Sequence, residues 1–284
     1  MDKYLFLSDL DLTLIDRDYN PTLPFEAVRA VSRGVSDKGH QIGLISDTAK
    51  ATLEMRRRQF GFNGPLISER GALVSLPDGN SELSAEMAID WLVFKQLVIQ
   101  SLEARFPGVI ILEEGYLKLK RTRNDRLVFL NDKTNLIIVN PYRSYSFSFH
   151  VNQFQNGEIT QNSEFYKKIV DVLNDIVIEE YQPFVYQDAN PDYGVVIYTE
   201  KQLDKSLAIP IIRKYYPEHT LVAIGDSQGD AVLKGHVDIL AAVGNASPEM
   251  KKRADIITSG EITHGMLEIL EIFVPQVREI RAKF

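Results

Sequence analysis

Short apolar runs alternate with longer amphipathic ones at both ends of the chain. Tyr4-Leu5-Phe6-Leu7 reads as a buried strand, and Leu12-Thr13-Leu14 continue past two acidic residues. Apolar positions from about Phe25 to Val35 recur with helical spacing and run out near a turn at Gly39. Gln41-Ile42-Gly43-Leu44-Ile45 is a second buried strand, stopping at Ser46-Asp47-Thr48. A charged amphipathic helix then passes through Leu53, Met55 and Phe60 to Gly61, and Pro65-Leu66-Ile67-Ser68 is a third short strand. Buried strands alternating with helices predict a parallel sheet covered on both faces. The same rhythm returns from Leu203: a helix over 207–215, a strand over 221–224 ending at Gly225-Asp226, and a strand over 239–243 before Gly244-Asn245. A short strand over 254–257 and an amphipathic helix over 262–275 follow. The stripe of Met266, Leu267, Ile269, Leu270 and Ile272 on that helix reads as core packing.

The middle of the chain has a different texture. A long helix over about 85–105 stops before Pro107-Gly108, and strand-like runs follow at 126–130, 135–139 and 145–149. In the last of these, Tyr145, Phe147 and Phe149 alternate with serines at period two, as sheet core should. A helix over 163–177 and a strand over 194–198 complete the segment. The expected fold class is therefore α/β, with a parallel-sheet core in two pieces, 1–83 and 201–284, and an inserted α+β domain over 84–200.

Composition narrows the chemistry. The 284 residues are 44% hydrophobic and 25% charged, the balance of a soluble globular protein. A formal charge of −7 argues against a broad nucleic-acid surface. No cysteine occurs, which excludes disulfides, thiolate nucleophiles and thiolate-ligated zinc. No apolar stretch approaches the roughly 18 residues of a membrane span. Asp9 and Asp11 interrupt the only early apolar run, so no secretory segment is expected and the default location is cytoplasmic.

The informative polar residues stand where strands stop: Asp9 and Asp11, Ser46, and Asp226 with Asp230. Two carboxylates two positions apart at the end of a buried run repel each other and cost desolvation, so they call for a cation or a reaction. In parallel α/β sheets ligands bind outside the carboxyl ends of the strands, where residues distant in sequence converge. A cation shared by Asp9 and Asp226 would offset their repulsion. None of the five histidines neighbours these strand ends, so an all-oxygen site suits magnesium better than zinc. Lys205, at the start of a helix, adds positive charge near a bound anion. Ser46 offers a hydroxyl at a strand-to-helix turn, where free backbone N–H groups favour phosphate. Carboxylates, a hard cation, a lysine and backbone donors fit phosphoryl transfer better than proton abstraction or glycoside cleavage.

In order, Asp9-Leu10-Asp11-Leu12-Thr13, Ser46, Lys205 and Gly225-Asp226-Ser227-Gln228-Gly229-Asp230 resemble the four core motifs of haloacid-dehalogenase superfamily phosphatases. The resemblance is to the branch with a large C2-type cap between the second and third motifs. Gly244-Asn245-Ala246 also resembles a segment of the cofactor-type sugar-phosphate phosphatases. The resemblance covers about residues 4–80 and 201–275. It implies a Rossmann-like core and an inserted α+β cap. It further implies that Asp9 is the nucleophile forming an aspartyl-phosphate and that Asp11 is the general acid and then base. Mg2+ would be held by the Asp9 carboxylate, the Asp11 carbonyl and Asp226, with Asp230 ligating directly or through water, and Ser46 and Lys205 on the phosphoryl oxygens. Thr13 would support the first loop and Asn245 the fourth-motif side. The implied substrate is a small phosphorylated metabolite, a sugar phosphate or phosphorylated acid, with no nucleic-acid or membrane partner. The alternatives are a phosphomutase with the same chemistry and a non-catalytic phospho-ligand binder. One departure stands out: relatives often follow the second-motif hydroxyl with Gly-Arg, and this chain has Asp47-Thr48. In the insert, Lys118, Lys120, Arg121, Arg123 and Arg126 form a basic cluster read as a solvated strand face, and His150 is read as structural.

Overall fold

A computed structural model describes residues 3–116, 119, 130–177 and 179–284. The chain divides into two compact units, Met1–Glu86 with Leu203–Phe284, and Met87–Gln202. Each builds its own sheet and its own core.

The first unit opens with β1 (Lys3–Ser8), whose Leu5, Phe6 and Leu7 are completely buried. Helix α1 (Phe25–Ser36) returns the chain, burying Ala27, Val28, Val31 and Val35 on one face. β2 (Gln41–Ile45) then lies parallel beside β1. Helix α2 (Lys50–Phe60) ends on Gly61, which takes the left-handed conformation (φ 70°) that stops a helix without a Cβ penalty. β3 (Leu66–Ser68) is parallel to β2, but β4 (Leu73–Ser75) and β5 (Ser81–Leu83) reverse direction. The parallel sheet read from the sequence is thus a mixed one. Six parallel strands carry a two-strand antiparallel edge whose strands, three residues each, are too short to register as separate runs.

The first helix of the second unit, α3 (Trp91–Arg105), starts later than the residue 85 read from the sequence. Its start is set by the Asp90 carboxylate, which accepts the N–H groups of Leu92 and Val93 at 3.0 and 3.1 Å. There follow β6 (Ile110–Glu113), β7 (Thr134–Val139), β8 (Phe147–Gln155), β9 (Glu158–Gln161), helix α4 (Ser163–Ile176), β10 (Val185–Asn190) and β11 (Val195–Glu200). The strands order as β10-β11-β8-β7-β6, with β9 hairpinned on β8; only β6–β7 is parallel. The β8–β9 connection is Asn156-Gly157, both at positive φ, as a tight two-residue hairpin demands. Phe147, Phe149, Val151 and Tyr198 pack with Phe94, Val98 and Leu102 of α3 and Ile169 and Leu173 of α4. Tyr145 precedes β8 and is only half-buried, so the aromatic stripe is shorter than read. His150 stacks on Tyr116 with ring centroids 3.9 Å apart. All but the last residue of the strand expected over 126–130, and the cluster of Lys118, Lys120, Arg121, Arg123 and Arg126, lie outside the described residues.

The chain re-enters the first unit through a tight turn, Lys205–Ala208, and α5 (Ile209–Tyr215). β12 (His219–Gly225) pairs with β1, and α6 (Gln228–Ala231) follows. β13 (Ile239–Ala242), α7 (Pro248–Arg253), β14 (Ile256–Ile257), α8 (Ile262–Phe273) and α9 (Val277–Arg281) close the unit. The sheet order is β14-β13-β12-β1-β2-β3-β4-β5. Of the stripe on α8, Met266, Leu267, Ile269 and Leu270 are core, whereas Ile272 is 53% exposed. No helix of the described residues is long and apolar enough to cross a membrane.

At the amino-terminal end of β1, the Tyr4 N–H donates to His40 Nδ1 at 3.2 Å. Burial first, then the neighbouring His219, lowers the His40 pKa below 6.5. Burial and Lys3 lower that of His219. Both imidazoles therefore take up protons at lower pH in the folded protein than in the unfolded chain, which does so near 6.5. Their contribution is complete above that pH and is lost as pH falls below it. The urea midpoint of the wild type is expected to fall more between about pH 7.5 and 5.5 than that of His40→Asn; parallel pH dependences would contradict this.

Candidate active site

β1 and β12 are neighbours in register, with Ser8 opposite Ile224, so their ends deliver Asp9 and Asp226 to one edge of the sheet. The Asp9 N–H donates to the Ile224 carbonyl at 2.8 Å, extending that pairing by one residue. Asp230 reaches the same place by a different route. A Cβ on Gly225 would lie 2.3 Å from Asp230 Cγ, so only glycine lets that carboxylate fold back over the strand end. Asp230 Oδ2 accepts the N–H groups of Asp226 and Ser227 at 3.2 and 3.0 Å and the Ser227 hydroxyl at 2.8 Å. Ser227 and Asp230 thereby cap the start of α6 reciprocally.

Lys205 ties the arrangement together. Only 4% exposed, its Nζ donates to Asp9 Oδ1 at 2.8 Å and to Asp230 Oδ1 at 2.6 Å. Asp204 fixes the turn that carries it, accepting the Ser206 N–H at 2.7 Å. Thr13 donates from Oγ1 to Asp226 Oδ1 at 3.1 Å and stands 3.5 Å from Asp9 Oδ2. Asp9, Asp226 and Asp230 each present a carboxylate oxygen within 4.8 Å of the others.

The loop after β1 is held in a conformation its side chains do not prefer. Leu12 takes φ 58°, while Leu14 and Ile15 donate back to the Leu10 carbonyl. Asn245 holds this loop from outside: its Nδ2 donates to the Leu12 carbonyl at 2.8 Å, and its Oδ1 accepts the Ile262 N–H at 2.8 Å. Asp11 turns toward the second loop, where Thr48 Oγ1 lies 3.5 Å from its Oδ2.

Ser46 sits directly after β2, 2% exposed, its hydroxyl accepting the Thr48 N–H at 3.2 Å. The loop is braced by residues that sequence reading missed, the left-handed turn Glu69-Arg70-Gly71 (φ 50°, 62° and 92°). The N–H groups of Glu69 and Arg70 donate to the carbonyls of Thr48 (3.1 Å) and Ser46 (3.4 Å). Arg70 Nε donates to the Leu203 carbonyl at 2.9 Å, and a Cβ on Gly71 would meet the Asp204 carbonyl at 2.3 Å. One strained turn thus bears on the loops of both Ser46 and Lys205. Its only trace in the sequence is a glycine shortly after a short strand. Arg56 was missed as well. Buried on α2, it donates from Nη2 to the Tyr19 carbonyl at 2.8 Å and is one of the cations acting on Asp11.

Burial is the largest influence on Asp9, Asp11 and Asp226. It raises Asp9 well above the usual range, with repulsion from Asp230, Asp226 and Asp11 adding to it and Lys205 opposing it. Burial and Asp230 push Asp226 up to about 7. Asp11 is raised by burial, with Lys205 and Arg56 pulling back and Asp47 pushing further. Burial works against the charge of Lys205, yet Asp230, Asp9 and Asp47 outweigh it and hold the ammonium protonated. Three crowded carboxylates, all offering hard oxygen donors, suit a small divalent cation.

This acidic constellation with its lysine stands at the carboxyl ends of adjacent parallel strands, where an α/β, Rossmann-like core places its ligands. The chain belongs to the haloacid dehalogenase-like hydrolases, the model of that family matching residues 6–270. A phosphoglycolate phosphatase of Staphylothermus marinus is 25% identical over 266 residues, which cover 93% of this chain and 94% of the relative. One from Sulfurisphaera tokodaii is 29% identical over 171 residues, 58% of this chain and 69% of the relative. A solved haloacid dehalogenase-like hydrolase from Bacteroides thetaiotaomicron shares the fold, with TM-score 0.67 at 16% identity over 96% of this chain and 100% of the other.

Gly71→Ala puts a Cβ against the Asp204 carbonyl at a φ of 92°. It is expected to destabilise the protein by about 2 kcal/mol and to lower turnover through the displaced Lys205 turn. Unfolding curves and kinetics that match the wild type would show the brace to be dispensable.

Proposed function

We propose that the protein is a magnesium-dependent phosphomonoester hydrolase acting on a small phosphorylated metabolite, a sugar phosphate or phosphorylated acid, through an aspartyl-phosphate. The observation that carries this reading is the convergence of Asp9, Asp226 and Asp230 within 4.8 Å, with Lys205 bonded to two of them at the strand ends. Asp9 is the nucleophile: its carboxylate oxygen attacks phosphorus, forming an acyl phosphate as the bond to the leaving oxygen breaks. Asp11, two residues on, donates its proton to the departing alkoxide. It then takes a proton from the water that attacks phosphorus, and inorganic phosphate leaves with Asp9 restored. Ser46 and Lys205 bind the transferring phosphoryl oxygens and offset the charge that builds there. The Asp9 carboxylate, the Asp11 carbonyl, Asp226 and Asp230 would hold magnesium, which would supply charge neutralisation on the phosphoryl oxygens. The phosphoglycolate phosphatases among the relatives support a small phosphate ester as substrate.

Phosphate release from sugar phosphates, phosphoglycolate and phosphoglycerates is the direct test. Asp9→Asn is expected to lower kcat by at least about 1000-fold, whereas wild-type-like release would exclude Asp9 as nucleophile. Independently of turnover, magnesium at about 100 times its Kd should stabilise the wild type by about 2.7 kcal/mol in thermal unfolding. Asp226→Asn should remove most of that stabilisation, and an unchanged magnesium response would place the metal elsewhere.

A further inference from the structure

The loop after β2 carries a charge that the chemical step does not use. Asp47 lies between Ser46, which directly follows the strand, and Thr48, whose hydroxyl stands 3.5 Å from Asp11 Oδ2. Its carboxylate is near enough to act on both Asp11 and Lys205. An aspartate at such a turn ordinarily accepts a backbone N–H of the turn itself. Here that role falls to Ser46, whose Oγ accepts the Thr48 N–H. Asp47 is half-buried, and among the described residues no ion pair or hydrogen bond holds its side chain.

The charge surrounding it is one-sided. Asp47 acts on Asp11 and Lys205, in a group that also holds Asp9, Asp226, Asp230 and Arg56; with Asp11 carrying the proton it gives to the leaving group, the formal charge is −2. A divalent cation brings this to zero, and an arriving phosphate dianion makes the site negative again. A leaving group with its own carboxylate would bring a further negative charge up to Asp11 and Asp47. A leaving group rich in hydroxyls would instead bring donors that an unpartnered carboxylate accepts.

We propose that Asp47 sets leaving-group selectivity, turning the site against phosphate esters of hydroxy acids and toward esters of uncharged polyhydroxy alcohols. The proposal rests on the phosphomonoesterase reading above and separates this chain from the activity for which its phosphoglycolate phosphatase relatives are named.

The experiment compares kcat/KM of the wild type and Asp47→Asn, with magnesium, on phosphoglycolate, a hexose 6-phosphate and p-nitrophenyl phosphate. The wild type is expected to favour the hexose phosphate over phosphoglycolate by about 10-fold or more. In Asp47→Asn the phosphoglycolate-to-hexose ratio should rise by about 10-fold, mainly through KM for phosphoglycolate, with the effect shrinking at high salt. A wild type that prefers phosphoglycolate, or a ratio unmoved by the substitution, overturns the proposal while turnover of p-nitrophenyl phosphate leaves the phosphatase reading standing. Failure of the wild type to release phosphate from any of the three esters overturns both.

Discussion

One buried ammonium, Lys205, sits between two buried carboxylates, and the rest of the first unit is arranged around the cost of keeping it there. Taking these charges out of water costs several kcal/mol each unless their geometry is good and their remaining lone pairs are satisfied. Asp230 meets that condition with one oxygen on Lys205 and the other on three donors from Asp226 and Ser227. Asp9 meets it only in part, with Lys205 on one oxygen and Thr13 at 3.5 Å from the other. The under-satisfied carboxylates, Asp9 and Asp226, are the two that end adjacent strands. An arrangement that leaves those oxygens short of partners is poor for stability alone and well suited to a cation and a phosphoryl group.

The sheet places these groups coarsely and the loops finish the task. Parallel pairing of β1 and β12 brings Asp9 and Asp226 side by side, but the backbone beyond the strands is held by longer-range ties. Asn245 fastens the Leu12 carbonyl to the start of α8, and the Glu69-Arg70-Gly71 turn fastens both the Ser46 and the Lys205 loops. Both ties secure backbone in the left-handed region, at Leu12 and at three consecutive residues of the turn. Strain of this kind persists only where the surroundings over-determine it, and it concentrates at functional sites.

The second unit is fastened where the chain enters and leaves it. Glu200, at the end of β11, accepts the Ile89 N–H on one carboxylate oxygen at 2.8 Å and the Gln202 side chain on the other. The two chain crossings are thus pinned within the unit. Among the described residues, α3, α4 and the inner face of the sheet give the insert a core of its own. That independence is why its stretch of sequence has a texture of its own, richer in aromatics and antiparallel strands.

The amino-acid pattern alone determined which segments are buried strands and where they stop. Apolar run length reports burial on two faces, and an aspartate closing such a run reports that something beyond packing is at work. Hence Asp9, Asp11, Ser46, Lys205, Asp226 and Asp230 could all be singled out before any contact was known. Polar short strands such as β5 and β9 left no such trace, and the start of α3 was misread because Asp90 as a cap competes with an uninterrupted apolar pattern. The partnerships were invisible for a different reason. Lys205 meets Asp9 across 196 residues, and Asn245 meets Leu12 across 233. Local periodicity carries no information about which distant loop will close on which, so the ammonium between two acids, the left-handed brace and the unpartnered charge of Asp47 were decided only when the sheet assembled.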